Sequence, residues 1–591
     1  SRPGLNAGIP AAAAKELQVC YQYVGRTGVD QATQGQILQA IGLIRYEKDE
    51  QTRDAEAFLV RNGGSPQKAV MLGAATGLEA LYRQHRQYQA SDEARVFLRR
   101  LATAGVNAGQ PAPLDMDARV RRMALTALQA ARDQDYATLR AAMGDGDWQM
   151  RRLVVLSLNM ADPQMAAIAD ELAADTAFQV RYELLTPLSR VAASTHLCAP
   201  IAERLKDPAP LVVMRAMDVL PASCTDLADV LARLAEMAQH LARNDDDGNW
   251  QINSRALTAL ARLNPQIAKP LMAGAVASPI WQVRAAAAAA TVGLADEANA
   301  LTLARDPVPN VQNAALDALS RMKSPAVVTE AIEVLKTGAD YQLLRTAAIV
   351  LKGLPAQKME EATAALIFAL RRLTDQESDT TRDPRLAILE RLGETLNPLG
   401  VYDLAAFITD FDDEVNAAAR KAFAKLRNPP PQGPVKRRYP YQPPVDQLMS
   451  LPSEASIQLE SGVVTLSLLK DVAPVTIARF AELARRGHYN GLTFHRVVPN
   501  FVVQGGSPGA NEYMGASRYM RDEVGPQGIH VRGAVGISTR GGDTGDGQIF
   551  IDLIDLPRLD RDYTVFAYVT SGMELVDRIL EGAKIVSVSV K

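Results

Sequence analysis

The sequence predicts a multidomain chain: a long all-α repeat array followed by a smaller, mainly-β domain. Three observations predict it. From about Ala14 to Arg427 the chain is rich in Ala and Leu at helical spacing, and one short pattern recurs about every 30 residues. From Ile457 the period changes to two, and Val463 to Leu469 alternates with β-branched residues. Between the two regions lies Asn428 to Pro444, in which seven of 17 residues are proline.

Bulk properties set outer limits. A chain of 591 residues exceeds one compact core. It is 47% hydrophobic and 22% charged, as folded proteins in water are. A net charge of −3 provides no bulk attraction to nucleic acid or anionic membrane. No run of apolar residues is long enough for a membrane-spanning segment. The chain starts at Ser1, which leaves open whether a targeting segment has been removed.

Three cysteines, Cys20, Cys198 and Cys224, form no CxxC pair, and the six histidines show no ligand spacing. Neither a metal nor a cofactor is therefore expected. Cys198 and Cys224 occupy matching places in successive repeats, each seven residues before a leucine, Leu205 and Leu231. They read either as two small core residues or as a disulfide, which requires Cα atoms within about 7 Å. A disulfide favours the bacterial periplasm or cell envelope over the cytoplasm.

Taken in order, residues 1–13 carry Pro3, Gly4, Gly8 and Pro10 and predict a flexible start. The repeat occupies 14–427. It reads as an acid, a few residues, Val-Arg or a relative, then an Ala-Leu helix: DARVRRMALTAL from Asp117, DWQMRRLVVLSL from Asp147, IWQVRAAAAAA from Ile280 and DEVNAAARKAF from Asp413. Arg121, Arg151 and Arg181 stand 30 residues apart, enough for two short helices and two turns. One such pair cannot bury its apolar face alone, so neighbours must stack into a solenoid. The leading Asp suits an N-cap. Asp207-Pro208, Asp306-Pro307 and Asp383-Pro384 add the proline favoured at a first helical position. The recurring Arg reads as a ladder partner for a neighbouring Asp, with Gln312 and Asn416 as departures.

These repeats resemble HEAT repeats in the short bacterial form also seen in phycobilisome-lyase-like proteins. The resemblance implies a solenoid whose surface binds client or partner proteins. Residues 428–453 then predict a Pro-rich, semi-rigid linker with few contacts, cut readily by trypsin near Lys436 to Arg438.

Residues 454–591 form the β-rich domain. Strands are predicted at Val463 to Leu469, Gly533 to Ser538, Gln548 to Asp552, Thr564 to Val569 and Lys584 to Val590, with helices at Pro474 to Arg486 and Met573 to Glu581. The central stretch is Phe494 to Gly506, FHRVVPNFVVQGG. Burying Arg496 and Gln504 beside four valines costs several kcal/mol unless each has partners. This pattern marks a binding surface or a structural ion pair.

FHRVVPNFVVQGG closely resembles the signature of cyclophilin-type peptidyl-prolyl isomerases. The resemblance implies a closed antiparallel barrel capped by two helices, and catalysis of rotation about X–Pro bonds in proline-containing polypeptides. It assigns Arg496 as the catalytic cation, Phe501 as the pocket floor and Gln504 as a hydrogen-bonding partner of the substrate backbone. Val502 stands where the family usually has Met. GAVGISTRGGDTGDGQIFI, from Gly533, resembles the second family signature. There Gln548 is expected to support Arg496, while Phe550, Leu559 and Tyr563 complete the proline pocket, Tyr563 standing where a His is usual. Ser538 and Thr539, with Arg540, replace the usual Ala-Asn-Ala strand that binds the substrate backbone. Arg558 falls where many eukaryotic members carry a Trp. The rival expectation is a non-enzymatic scaffold whose barrel serves only for binding.

Other motifs fail. Asn244 to Gly248 lacks the leading acid of a calcium loop and reads as an inter-helix turn. Gly541 to Gly547 has no lysine and leads into a strand, so it is no phosphate cradle. His495 reads as a packed structural histidine, because the rotation moves no proton.

Overall fold

The structure is a computed structural model that describes residues 9–10, 13–27, 31–106, 109, 115–196, 198–224, 227–243, 248–395, 398–425 and 438–591. The would-be calcium loop and most of the first 13 residues lie outside the described residues. The chain divides into two compact units, residues 1–219 and 220–591.

The first unit is helical, from Ala13–Thr27 to Pro210–Val219. Its only departure among the described residues is one parallel pairing of two residues, Ile9–Pro10 with Ile44–Arg45, in a region read from sequence as free of strands. The helices Gln31–Gly42 and Lys68–Gln84 touch backbone to backbone. A Cβ on Gly42 would lie 1.9 Å from the carbonyl oxygen of Gly77, so only glycine permits the crossing.

The recurring arginine links one repeat to the next. Arg121 donates to Asp145 at 2.8 Å, Arg151 to Asp175 at 2.6 Å and Arg181 to Asp207 at 2.7 Å. Each of the last two also donates to the backbone carbonyl six residues before itself, tying the helix to its own entry turn. Arg284 repeats both contacts in the second unit, with Asp306 at 2.6 Å and the Ser278 carbonyl at 2.8 Å. Gln312 keeps only the carbonyl contact, to Asp306 O at 2.6 Å, because an amide cannot form the ion pair. Asn416 similarly donates to the carbonyl of Ile408.

Asp115, Asp135, Asp147 and Asp162 cap helices, each carboxylate accepting first-turn amides. The Asp-Pro pairs differ from expectation. Asp207 and Asp306 accept from the amides of Ala209 and Val308 in the turn, and the first-position prolines are Pro210 and Pro309, two residues later. Pro384 lies inside the helix Arg382–Thr395.

The second unit holds further helices and the β-domain. The helices that matter for the site are α1 (Trp281–Leu294), α2 (Pro309–Arg321), α3 (Tyr341–Val350) and α4 (Arg382–Thr395). The strands are β1 (Glu454–Leu459), β2 (Gly462–Leu468), β3 (Phe494–Val498), β4 (Val502–Gly505), β5 (Ala534–Ile537), β6 (Ile549–Asp552), β7 (Val565–Ser571) and β8 (Ile585–Val590). They form one antiparallel sheet in the order β8-β1-β2-β7-β5-β6-β4-β3. The sheet curls until its edges meet at a bridge between Thr493 and Lys584. Helix α5 (Pro474–Arg485) buries Ile477, Phe480 and Leu483 against the core with Phe566 and Tyr489. Burying such a side chain contributes about 1.5–3 kcal/mol. The second capping helix spans only Met573–Val576; single turns continue to Ile579.

The end of the Pro-rich stretch is not a bare spacer. Residues 428–437 lie outside the described residues, but Arg438 stacks over the Phe411 ring at 5.0 Å and pairs with Asp379 at 3.5 Å. The Tyr441 amide donates to Tyr519 O at 2.8 Å, and its hydroxyl to Glu482 at 2.7 Å. Arg438 is thus held by an ion pair and an aromatic ring, where the sequence predicts a stretch with few contacts. Among the described residues no helix is long and apolar enough to cross a membrane.

Candidate active site

Strand register builds the site. Arg496 pairs with Gln504, Gln504 with Phe550, and Phe550 with Gly536, so these four lie in one row across β3, β4, β6 and β5. The next row is Val497, Val503, Ile551 and Val535, which joins the barrel core. Side chains alternate faces along a strand, so the polar row and the core row face opposite ways. A slip of one residue would exchange them. Gly536 leaves the space the row requires: a Cβ there would lie 2.3 Å from the Phe550 ring.

The row opens into a cavity of about 290 Å³. Arg496, Phe501, Val502, Gln504, Phe550, Leu559 and Tyr563 line it, as do Ser538 and Thr539. Phe501 follows a tight turn in which Asn500 takes φ of 57° and the Phe501 amide donates to Val498 O at 3.0 Å. Two guanidinium groups lie over its ring, Arg496 at 5.8 Å and Arg558 at 5.4 Å. The Tyr563 ring stands edge-on to Phe550, centroids 5.9 Å apart.

A short hydrogen-bond chain orients Arg496. Its Nη1 donates to Gln504 Oε1 at 3.2 Å. Gln504 Nε2 donates to Gln548 Oε1 at 3.1 Å and to Ser538 Oγ at 2.9 Å. Gln548 Nε2 ends the chain at the carbonyls of Glu512 and Met514. Gln548 is 1% exposed and does not line the cavity. It lies behind Gln504 and so has no surface to offer a substrate; its reach to Arg496 runs through Gln504. Burial pushes the His495 pKa down to about 4, so this ring is neutral at physiological pH.

Two further residues belong to the site without a sequence signal, and Arg540, expected beside the substrate backbone, takes a place in the cavity wall. Glu512 pairs with Arg496 Nε at 3.3 Å and lines the cavity. His530 is buried behind Phe550, stacked on it at 5.9 Å, with Nδ1 2.8 Å from Asp552. Burial raises the Asp552 pKa to about 6. Arg540 lines the cavity wall and donates to Asp383 of α4 at 2.7 Å.

Asp383 acts on the loop 507–519 through Arg540, which also donates to the Glu512 carbonyl, and other helical groups hold that loop directly. Asn310 of α2 donates to Gly509 O at 2.8 Å, and Asn511 donates to Asp340, the cap of α3, at 2.9 Å. Asp379 accepts from the Tyr519 amide at 2.9 Å. This loop carries Glu512. These contacts span 140 to 199 residues of sequence, which is why no local pattern announces them.

Comparison with known proteins follows the same boundaries. Residues 455–589 match the family model for cyclophilin type peptidyl-prolyl cis-trans isomerase. A peptidyl-prolyl cis-trans isomerase of Helicobacter pylori is 39% identical over 137 residues, covering 23% of this chain and 84% of that protein. The mouse peptidyl-prolyl cis-trans isomerase-like 1 is 38% identical over 133 residues, covering 22% of this chain and 80% of that protein. A crystal structure of a Cryptosporidium parvum cyclophilin type isomerase aligns at 23% identity and TM-score 0.23, covering 24% of this chain and 97% of that one.

Proposed function

The chain belongs, through its C-terminal domain, to the cyclophilin-type peptidyl-prolyl cis-trans isomerases, and from that premise we propose how its residues perform the reaction and what the helical array adds. Rotation about an X–Pro amide is slow because resonance sets a barrier of roughly 18–20 kcal/mol. No bond breaks. The site must favour the twisted state, in which the proline nitrogen regains its lone pair. Arg496 donates to that nitrogen or to the adjoining carbonyl. Gln504 and Glu512 fix the guanidinium from two sides, so little reorganisation accompanies the twist.

Phe501, Val502, Phe550, Leu559 and Tyr563 hold the proline ring in apolar surroundings. Ser538 and Thr539 offer the strand edge along which the substrate backbone lies. The observation that carries this reading is the row Arg496, Gln504 and Phe550 opening on one cavity. The test is exchange of a short proline peptide, which takes tens to hundreds of seconds unaided. The protein is expected to shorten it, and Phe501→Ala to weaken binding as well as turnover. If wild type accelerates no proline peptide, the scaffold reading replaces this one.

The helical array, 14–427, holds client or partner proteins while the barrel, 454–591, acts on them. Capture of unfolded, proline-containing chains by an inactive variant tests this; a single discrete partner and no unfolded client favour the scaffold. Cys198 and Cys224 are disulfide-bonded, whereas Cys20 is free and exposed. Such a bond persists in oxidising compartments, which supports the periplasm or cell envelope. Two free thiols in protein from its native source, read by mass spectrometry, would remove that support.

A further inference from the structure

A second cavity, of about 450 Å³, adjoins the catalytic one: Arg496 and Glu512 line both. Its other walls come from the helices, with Trp281 of α1, Asn310 of α2, and Gln342 and Arg345 of α3. The loop that separates the helices from the sheet here is fastened in place. Asn310 holds Gly509 O, Asp340 holds Asn511, and the Arg345 guanidinium lies 5.0 Å over the Tyr513 ring. The cavity is therefore preformed, and ordering it costs a ligand little.

The charges in it are unequal. Glu512 is engaged by Arg496. Glu581, also in the lining, lies in the field of Arg255. Arg345 is half-buried and has an aromatic face but no ion pair among the described residues. A partly desolvated guanidinium with donors unspent is an acceptor site for a carboxylate, which its planar fork matches. What enters must be continuous with what occupies the neighbouring cavity. A polypeptide bound by its proline continues on both sides, at up to about 3.3–3.6 Å per residue.

We propose that the second cavity is a subsite for the polypeptide flanking the target proline, and that Arg345 selects chains carrying an acidic side chain there. The inference rests on the reading that the first cavity isomerises polypeptides. It makes the helices part of the substrate site and not only a separate platform.

The test uses the full chain and a set of proline peptides alike except for one position. Glu, Ala or Lys stands from about two to about six residues from the proline, on either side. At one such position the Glu peptide is expected to show kcat/KM about tenfold above the Ala peptide, as one charge-assisted hydrogen bond permits. In Arg345→Ala that ratio falls to about one, and in Arg345→Glu the preference passes to Lys. A ratio within one preparation is independent of how much of a variant is folded. Equal rates for Glu and Ala peptides at every position, or a preference that survives Arg345→Ala, would overturn the inference while leaving the isomerase reading intact. Failure to accelerate even the shortest proline peptide would remove both.

Discussion

Arg121, in the repeats, and Arg496, in the sheet, carry the same group under opposite conditions. The Arg121 side chain is 4% exposed and meets an Asp145 that is 0% exposed, with Nε to oxygen at 2.8 Å. Arg496 is 38% exposed, and its acid, Glu512, is 45% exposed at 3.3 Å. In the repeats Arg121, Arg151, Arg181 and Arg284 are each held by a carboxylate, the last three by backbone carbonyls as well. In the sheet the guanidinium is held at its edges and presented to a cavity. The difference separates an arginine spent on ordering the fold from one left facing a cavity.

Several measurements sharpen or break this contrast, and the largest expected effect lies in the repeats. Arg121→Ala strands a buried carboxylate and is expected to destabilise the first unit by roughly 3–5 kcal/mol. Denaturant titration of the full chain should show its first transition moving, with isomerase turnover of the still-folded protein unchanged. Pairing Arg121→Met with Asp145→Leu should recover most of the loss, since an apolar pair needs no partner. If the double variant is as unstable as the single, the pair does more than satisfy itself.

The next effect is on the sheet. Gly536→Ala forces the Phe550 ring to move, because its Cβ would lie 2.3 Å away. A displaced pocket ring is expected to lower kcat/KM roughly ten- to hundredfold, read on a short proline peptide. Unchanged kinetics would mean that Phe550 does not shape the proline pocket.

The smallest effect concerns Asp552, paired with His530 behind that ring. Its pKa in the folded domain, about 6, lies above the ordinary aspartate value of 3.8. The folded domain thus keeps a proton that the unfolded chain releases. The stability this group contributes is full below about 3.8 and is lost as pH rises to about 6. The slope is at most about 1.4 kcal/mol per pH unit. Asp552→Asn should flatten it in melting curves taken across that window. An identical pH profile in the variant would show that the pair is not the source.

Much of this was legible in sequence where the pattern is local. The 30-residue recurrence gives the helices, and the alternation from Val463 to Leu469 marks the change to strands. The signature residues from Phe494 to Gly506 fall on two paired strands, so their clustering follows from a tight turn. Resemblance carried Phe550, Leu559 and Tyr563 onto the same cavity. Glu512 and His530 were not legible, nor was the bond from Arg540 to Asp383. Each of these residues reaches the site from a loop or a cavity wall, and loops carry no periodicity to place their side chains. The hold of Asp340 and Asp383 on the barrel was hidden for the same reason. Asp383 read only as the start of a helix beside Pro384, and Asp340 caps α3 while also accepting from Asn511. The proline-rich stretch misled because composition reports stiffness and not what Arg438 and Tyr441 touch.

In the proposed reaction Arg496 stays out of the structural arginine network so that it can act on substrate. The most direct test of this is the exchange rate of a short proline peptide with Arg496→Ala, alongside the variant's melting curve. Loss of a donor that acts mainly in the transition state is worth about 2.7–4 kcal/mol. The account therefore predicts a rate roughly a hundred- to a thousandfold lower, with the melting curve close to wild type and little rescue by Arg496→Lys. A folded Arg496→Ala protein as fast as wild type, or one that loses stability as Arg121→Ala does and turnover only in proportion, would contradict it.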